Sequence, residues 1–198
     1  MMATDTLAPP PRDAQSIAKV IELSDEASAL VQPELSAAAF FNLLVQKELL
    51  KDAVAFLAHW LPIREAVWWG CECVWHACRP EPVQVVDAAL GSAVAWVIEP
   101  NEEHRLAADK AGHAATLRTP AGCVALAAAW TGGSLSPYAK APVAPPPQLA
   151  ANTVVAAVEL VALKGPAGKS AERYLQLLRI GTEVAHGSNR WTVAEVAQ

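Results

Sequence analysis

Large apolar side chains in this chain recur at the spacing of one helix face, and alanine fills many of the positions between them. In "ELSAAAFFNLLVQ", Ala37, Phe40, Phe41 and Leu44 follow the i, i+3, i+4, i+7 pattern of an amphipathic helix. "ELLKDAVAFLAHWL" repeats it with Leu50, Val54, Leu57, Ala58 and Leu61. Alanine has the best helix propensity, and a small side chain lets two helices approach closely. Asn-Gly turns between alternating apolar residues, the strongest hairpin signal, are absent. The pattern predicts an all-α fold.

Punctuation divides the pattern into elements. Ser24, followed by Asp25 and Glu26, reads as a helix start with acids in the first turn, and Pro33 ends that element. Near Lys47 no glycine or proline marks a boundary, so the division there stays open. Pro62 restarts the chain, since proline suits the first helical position. A helix is expected from near Pro82 to before Pro100, with the stripe Val83, Val86, Leu90, Ala93, Val94 and Val97. Gly91 inside it costs about 1 kcal/mol against alanine, which a close helix crossing would explain.

"NEEHRLAADKAGHAATL" follows, with a small-residue face of Ala107, Ala111 and Ala114. Thr119-Pro120 is an N-cap followed by proline, and Gly132-Gly133 terminates the helix it opens. Residues 131–147 hold five prolines and read as an extended strap. Two more helices are expected, about 148–163 and 169–186. The first is apolar nearly all round and so central, whereas the second places Leu177, Leu178, Gly181 and Val184 on one side. The expected architecture is about eight helices packed as antiparallel hairpins, a bundle or short α-α superhelix, with the Pro-rich strap before the last two. Residues 1–22 read as a flexible tail and 23–190 as a single domain.

Net charge is −5 over 198 residues, and no block of lysine or arginine occurs. Phosphate contacts supply most of a nucleic-acid binder's affinity, so that partner is disfavoured. The most apolar run, 149–163, is too short for a bilayer and carries Asn152 and Glu159. The N-terminus lacks the apolar core of a secretory signal. A soluble cytoplasmic protein with reduced thiols and no membrane insertion is the expectation.

The densest chemistry lies in "HWLPIREAVWWGCECVWHAC", residues 59–78, with three cysteines, two histidines and four tryptophans. Cys71, Cys73, His76 and Cys78 are spaced like a zinc set, but a rigid helix turns about 100° per residue. Cys71 and Cys78 then share one face while Cys73 and His76 point roughly opposite, which one tetrahedral ion cannot span. No metal or cofactor is expected. Trp68, Cys71, Val74, Trp75 and Cys78, together with Val67, form an apolar core stripe in which buried cysteine acts as a small hydrophobe. The opposite side carries Glu65, Trp69, Glu72 and His76. As an exposed face these four would suit a protein partner, since tryptophan is favoured in interface hot spots. The competing reading packs Trp69 under a neighbouring helix, as happens when a helix is covered on both sides.

No triad motif, nucleophile elbow, phosphate cradle or His-Glu-x-x-His helix occurs, so no catalytic residue is assigned. Asp109 and His113, at i and i+4, read as a surface pair. "FLAHWLPIREAVWWGCECV", "PAGCVALAAAWTGGSLSP" and "LLRIGTEVAHGSNRW" give the chain a broader likeness, over about residues 35–191. Its most specific elements are Leu61-Pro62, Arg64 to Trp69 and Gly132-Gly133-Ser134. On these words it resembles an uncharacterised family of small all-helical bacterial proteins, sometimes found near type VI secretion genes. The resemblance implies a helical fold and a setting, and brings no known catalytic residues.

The leading functional reading is a non-catalytic protein-interaction or adaptor protein, accessory to a secretion system. An alternative is a small hydrolase or transferase, which requires Ser134 within hydrogen-bond reach of His76, His104 or His113, with an acid behind. A third is a thiol or metal sensor at Cys71, Cys73 and Cys78.

Overall fold

The computed structural model describes residues 13–78, 84–136, 138, 140–166 and 168–187, with the side chain of Cys78 excepted. Expectations placed on residues 1–12, Pro82, Val83 and 188–190 lie outside these. Among the described residues there are ten helices and one isolated bridge, Asp13 to Ser36. The fold is all-α.

Two five-residue helices, α1 (Ala14–Ala18) and α2 (Asp25–Ala29), open the described chain. Part of the stretch expected to be a flexible tail, Ala14–Ala18, is therefore helical. Ala14 and Ile17 are buried, and α1 packs against α3 (Ala37–Gln46) and α4 (Leu50–Trp60). Two apolar residues three apart are too short a pattern to reveal a helix, and it is the surface under α1 that completes it. Asp13 caps α1, accepting from the backbone N–H and the hydroxyl of Ser16 at 2.7 and 2.8 Å. Ser24 caps α2 as expected and also ties it down. Its backbone N–H and hydroxyl donate to the two carboxylate oxygens of Asp52 on α4, at 2.7 and 2.9 Å.

Ala37, Phe40, Phe41 and Leu44 are the buried residues of α3, the set its periodicity predicts. The unmarked turn near Lys47 has a definite form. Leu49 N–H donates to the Leu44 carbonyl and Glu48 N–H to that of Val45, the paired bonds of a Schellman motif. Glu48 takes the left-handed position, φ 58°, that glycine ordinarily fills. With glutamate there, no residue type signals the turn.

After Pro62 come α5 (Ile63–Cys78), α6 (Gln84–Ile98), α7 (Glu102–Ala115), α8 (Pro120–Ala129), α9 (Leu149–Leu163) and α10 (Ser170–Ala185). Thr119 caps α8 with Pro120 first in the helix, as the sequence indicates. Helix α5 packs against α4, α6, α8, α9 and α10 and is the axis of the domain. Every residue of α8 from Ala121 to Ala129 is buried, and α9 packs against α4, α5, α8 and α10.

Such crowding works because the crossings fall on glycines. A methyl group at Gly70 would lie 2.8 Å from a Val124 methyl on α8, and one at Gly112 would lie 3.0 Å from the Leu126 backbone nitrogen. At Gly181 it would lie 2.6 Å from Leu57 Cδ2 and 2.8 Å from the Trp69 indole. Gly91, expected at a crossing, is exposed with nothing within 4 Å of where a methyl would sit. The buried face of α7 is also displaced from the expected Ala107, Ala111 and Ala114. It is Arg105, Ala108, Gly112 and Ala115, because the α8 contact centres on Gly112.

Three helix C-termini are met by arginines reaching from other elements. Arg64 donates to the carbonyls of Val97 and Ile98 at the end of α6, at 2.6 and 3.0 Å. Arg105 donates to the Ala129 carbonyl ending α8 (2.8 Å), and Arg173 to Ala162 near the end of α9 (2.6 Å). A cation there meets carbonyls without helical partners and the negative end of the helix dipole, typically worth about 0.3–1 kcal/mol.

Two sets of substitutions follow. Gly181→Ala should lower stability by about 1–3 kcal/mol through overpacking, whereas Gly91→Ala should raise it by about 0.5–1 kcal/mol. Glu48→Gly should raise it by roughly 0.5–1 kcal/mol, the relief of left-handed strain less the added freedom of the unfolded chain. Urea-unfolding midpoints measure all three.

Candidate functional site

The stretch 59–78 resolves into structure. Gly70 lies within an unbroken helix, and both long faces of α5 are covered. Trp68, Cys71 and Val74 are buried and Trp75 is half-buried, while the Cys78 side chain lies outside the described ones. On the other face the four residues expected to meet a partner do not share one surface. Trp69 is fully buried, its indole N–H donating to the Leu177 carbonyl of α10 at 2.8 Å. Glu72 is buried as well, Glu65 is half-buried, and only His76 is exposed. An axial helix has no outer face. A partner reaches at most the two ends of that row.

Cys71, Cys73 and Cys123 are free, buried thiols. Burial, and after it the nearby Glu72 carboxylate, pushes the Cys71 and Cys73 thiols far up, and burial pushes Cys123 up to about 11. Protonated thiols of this kind are poor nucleophiles and poor metal ligands. Among the described residues, no group of three or more histidine, cysteine or acidic side chains could hold a metal ion.

Ser134 spends its hydroxyl within its own loop. Its Oγ accepts from the backbone N–H of Val143 (2.9 Å) and Ser136 (3.0 Å), and Leu135 N–H donates to the Val143 carbonyl (2.8 Å). These bonds close a loop over 134–143. His104 Nδ1 pairs with the Glu99 carbonyl, and His113 with the Asp109 carbonyl and, at 3.5 Å, its carboxylate. No histidine is among the described hydrogen-bond partners of Ser134.

Sequence periodicity does not reveal a concavity whose walls come from separate parts of the chain. An open groove of about 840 Å³ lies where the end of α4, the start of α9, α1 and the segment after α8 meet. Ile17 and Val20 form one wall, Leu61, Pro62 and Ile63 another, and Pro145, Pro146 and Pro147 a third, with Trp130 and Gly132-Gly133 at the end. Arg105 sets that end. It holds Glu102 through two hydrogen bonds of 2.7 Å and caps Ala129, and Gly133, at φ 72°, lies flat against its guanidinium. A methyl at Gly133 would come within 2.4 Å of the guanidinium carbon, so the chain can turn back there only without a side chain.

Among the described residues, His59 is the one titratable residue lining the groove. Its Nε2 is 2.9 Å from Asn152 Oδ1, a bond that ties α4 to α9. Burial holds its pKa below the ordinary 6.5, partly offset by that bond. The imidazole is thus neutral at pH 7, with Nε2–H donating to Asn152. A second hollow of about 590 Å³ adjoins, sharing Val20 and Gln148 with the first. Glu22, Asp52, Glu159 and Lys51 line it. The groove's residue types gave a faint signal at most. Gly132-Gly133 and the proline run are visible in the sequence, but nothing there indicates that they face Ile17 and Ile63.

The broad sequence likeness agrees with the family comparison. The chain belongs to a family of unknown function (DUF6931), matched over residues 40–185. No curated protein and no solved structure gives a match. Among the described residues, no helix is long and apolar enough to cross a membrane.

His59 gives a pH signature. Its folded pKa lies below the unfolded value, so its contribution is intact above pH 6.5 and lost as pH falls through the folded pKa. Wild type should therefore lose more stability than His59→Gln on going from pH 7 to pH 5. Nuclear magnetic resonance titration should place the His59 midpoint below 6.5.

Proposed function

We propose that this chain is a non-catalytic, cytoplasmic protein-interaction or adaptor protein, and that the groove beside α4 and α9 is its contact surface. The observation carrying this reading is the groove itself: about 840 Å³, open to solvent, on a frame of packed helices with one wall of three consecutive prolines. Proline fixes its own backbone, so that wall loses little freedom when a partner docks. Val20 and Ile63 on the rim are large apolar residues left exposed, and surface of that kind favours association. His59, neutral and bonded to Asn152, shapes the floor.

Free buried thiols at Cys71, Cys73 and Cys123 suit a reducing compartment. Net charge of −5 favours a protein over a nucleic acid as partner. The likeness to bacterial proteins near type VI secretion genes makes a secretion apparatus the setting in which to seek that partner.

Photo-crosslinking residues introduced at Val20, Ile63 and, as a control, the exposed Leu106 on α7 test this in the native host. The expected result is one and the same protein captured from Val20 and Ile63 and absent from Leu106. No adduct at the two groove positions, or the same adducts from all three, would overturn the reading.

A further inference from the structure

We infer that the groove and the adjoining hollow form one track, which takes a short peptide segment of the partner with apolar side chains at one end and lysine or arginine at the other. This rests on the interaction reading above and adds the chemistry of the partner. The two hollows share Val20 and Gln148 and so lie side by side, within reach of one extended chain laid across Val20. Their linings differ in kind.

Alkyl, proline and indole groups dominate the lining of the larger hollow, with the uncharged side chains of Ser16, Thr131 and Gln148 among them. Burial keeps His59, its one titratable residue among the described ones, uncharged. A charged side chain placed there would lose water and gain no counter-ion, whereas apolar side chains gain by burial. The smaller hollow carries three carboxylates, Glu22, Asp52 and Glu159, against the single ammonium of Lys51. Asp52 has both oxygens engaged by Ser24. Glu22 and Glu159 take part in no ion pair among the described residues, which leaves both to face an incoming cation. Charge complementarity of this sort discriminates between partners and speeds encounter more than it adds affinity. The order along the track is thus fixed: apolar beside His59 and Trp130, basic beside Glu22 and Glu159.

The test is selection of a random twelve-residue phage-displayed library on the full chain, alongside a Glu22→Lys/Glu159→Lys double variant and Val20→Asp. Glu22 is exposed and Glu159 half-buried, and unfolding midpoints matching wild type confirm that the variants fold. Wild type should enrich sequences with a lysine or arginine a few positions from an apolar pair. The double variant should enrich aspartate or glutamate in that place. The enriched wild-type peptide, synthesised with a fluorescent label, should bind the double variant at least tenfold more weakly and Val20→Asp more weakly still. Absence of enrichment, enrichment without the basic residue, or binding indifferent to the charge reversal would each overturn the inference. If crosslinking captures a partner in the groove while the selected peptides ignore the charge reversal, this inference fails and the interaction reading stands. If both experiments are negative, the two fail together.

Discussion

The indole of Trp69 lies in the notch that Gly181 leaves in α10, close enough for its N–H to reach the Leu177 carbonyl. A single methyl at position 181 would strike both that ring and Leu57, so three helices meet at a point where one residue has no side chain. Gly70 does the same for α5 against α8, and Gly112 for α7 against α8. Protein interiors are packed near crystal density, and backbones this close leave no slack for another carbon. The enclosure of α5 by five helices follows from these notches, and most other features follow from that enclosure. Cys71 and Cys73 on α5 become inert filler, and its tryptophans become packing groups.

Enclosing one helix from all sides sends the ends of its neighbours outward, where their terminal carbonyls need partners. Arg64, Arg105 and Arg173 answer that need from a distance, each fixing one helix end relative to another element. Arg105 has a further consequence. By capping α8 and lying against Gly133, it decides where the chain turns after α8, and so where the proline segment can run on its way to α9. The groove is what remains between that segment, the end of α4 and the docked α1. Asp52 and Ser24 hold α2 to α4 on the far side of the same region. The Arg105 contacts after α8 and the Ser24–Asp52 bonds thus help hold the elements around the groove in place.

Legibility in the sequence tracked how local the cause was. The buried face of α3, the cap at Ser24, the Thr119-Pro120 start of α8 and the restart at Pro62 were all readable, because each depends on residues within a turn or two. The turn at Glu48 was not, since its left-handed residue carries no mark. Gly91 and Gly181 look alike in a sequence, yet one faces solvent and the other a tryptophan. For α7 the pattern of alanines offered two adjacent faces, and contact with Leu126 selected the one through Gly112. Trp69 and Glu72 looked like a face opposite a core stripe, which holds for a helix packed on one side and fails for one packed all round. Ser134, conspicuous after two glycines, serves to close its own loop.

By itself, then, the sequence determined most of the longer helices and the all-α class, and it argued against a zinc site within the cysteine-rich helix. Helical periodicity, capping and the roughly 100° turn per residue are properties of a chain and its nearest neighbours. Tertiary structure alone decided which glycines are crossings, that α5 is the axis, and that residues from α1, α4, the proline segment and α9 enclose a groove. Those outcomes depend on which surfaces meet across long separations in the chain. Close packing chooses among them by fractions of an ångström that no local pattern encodes.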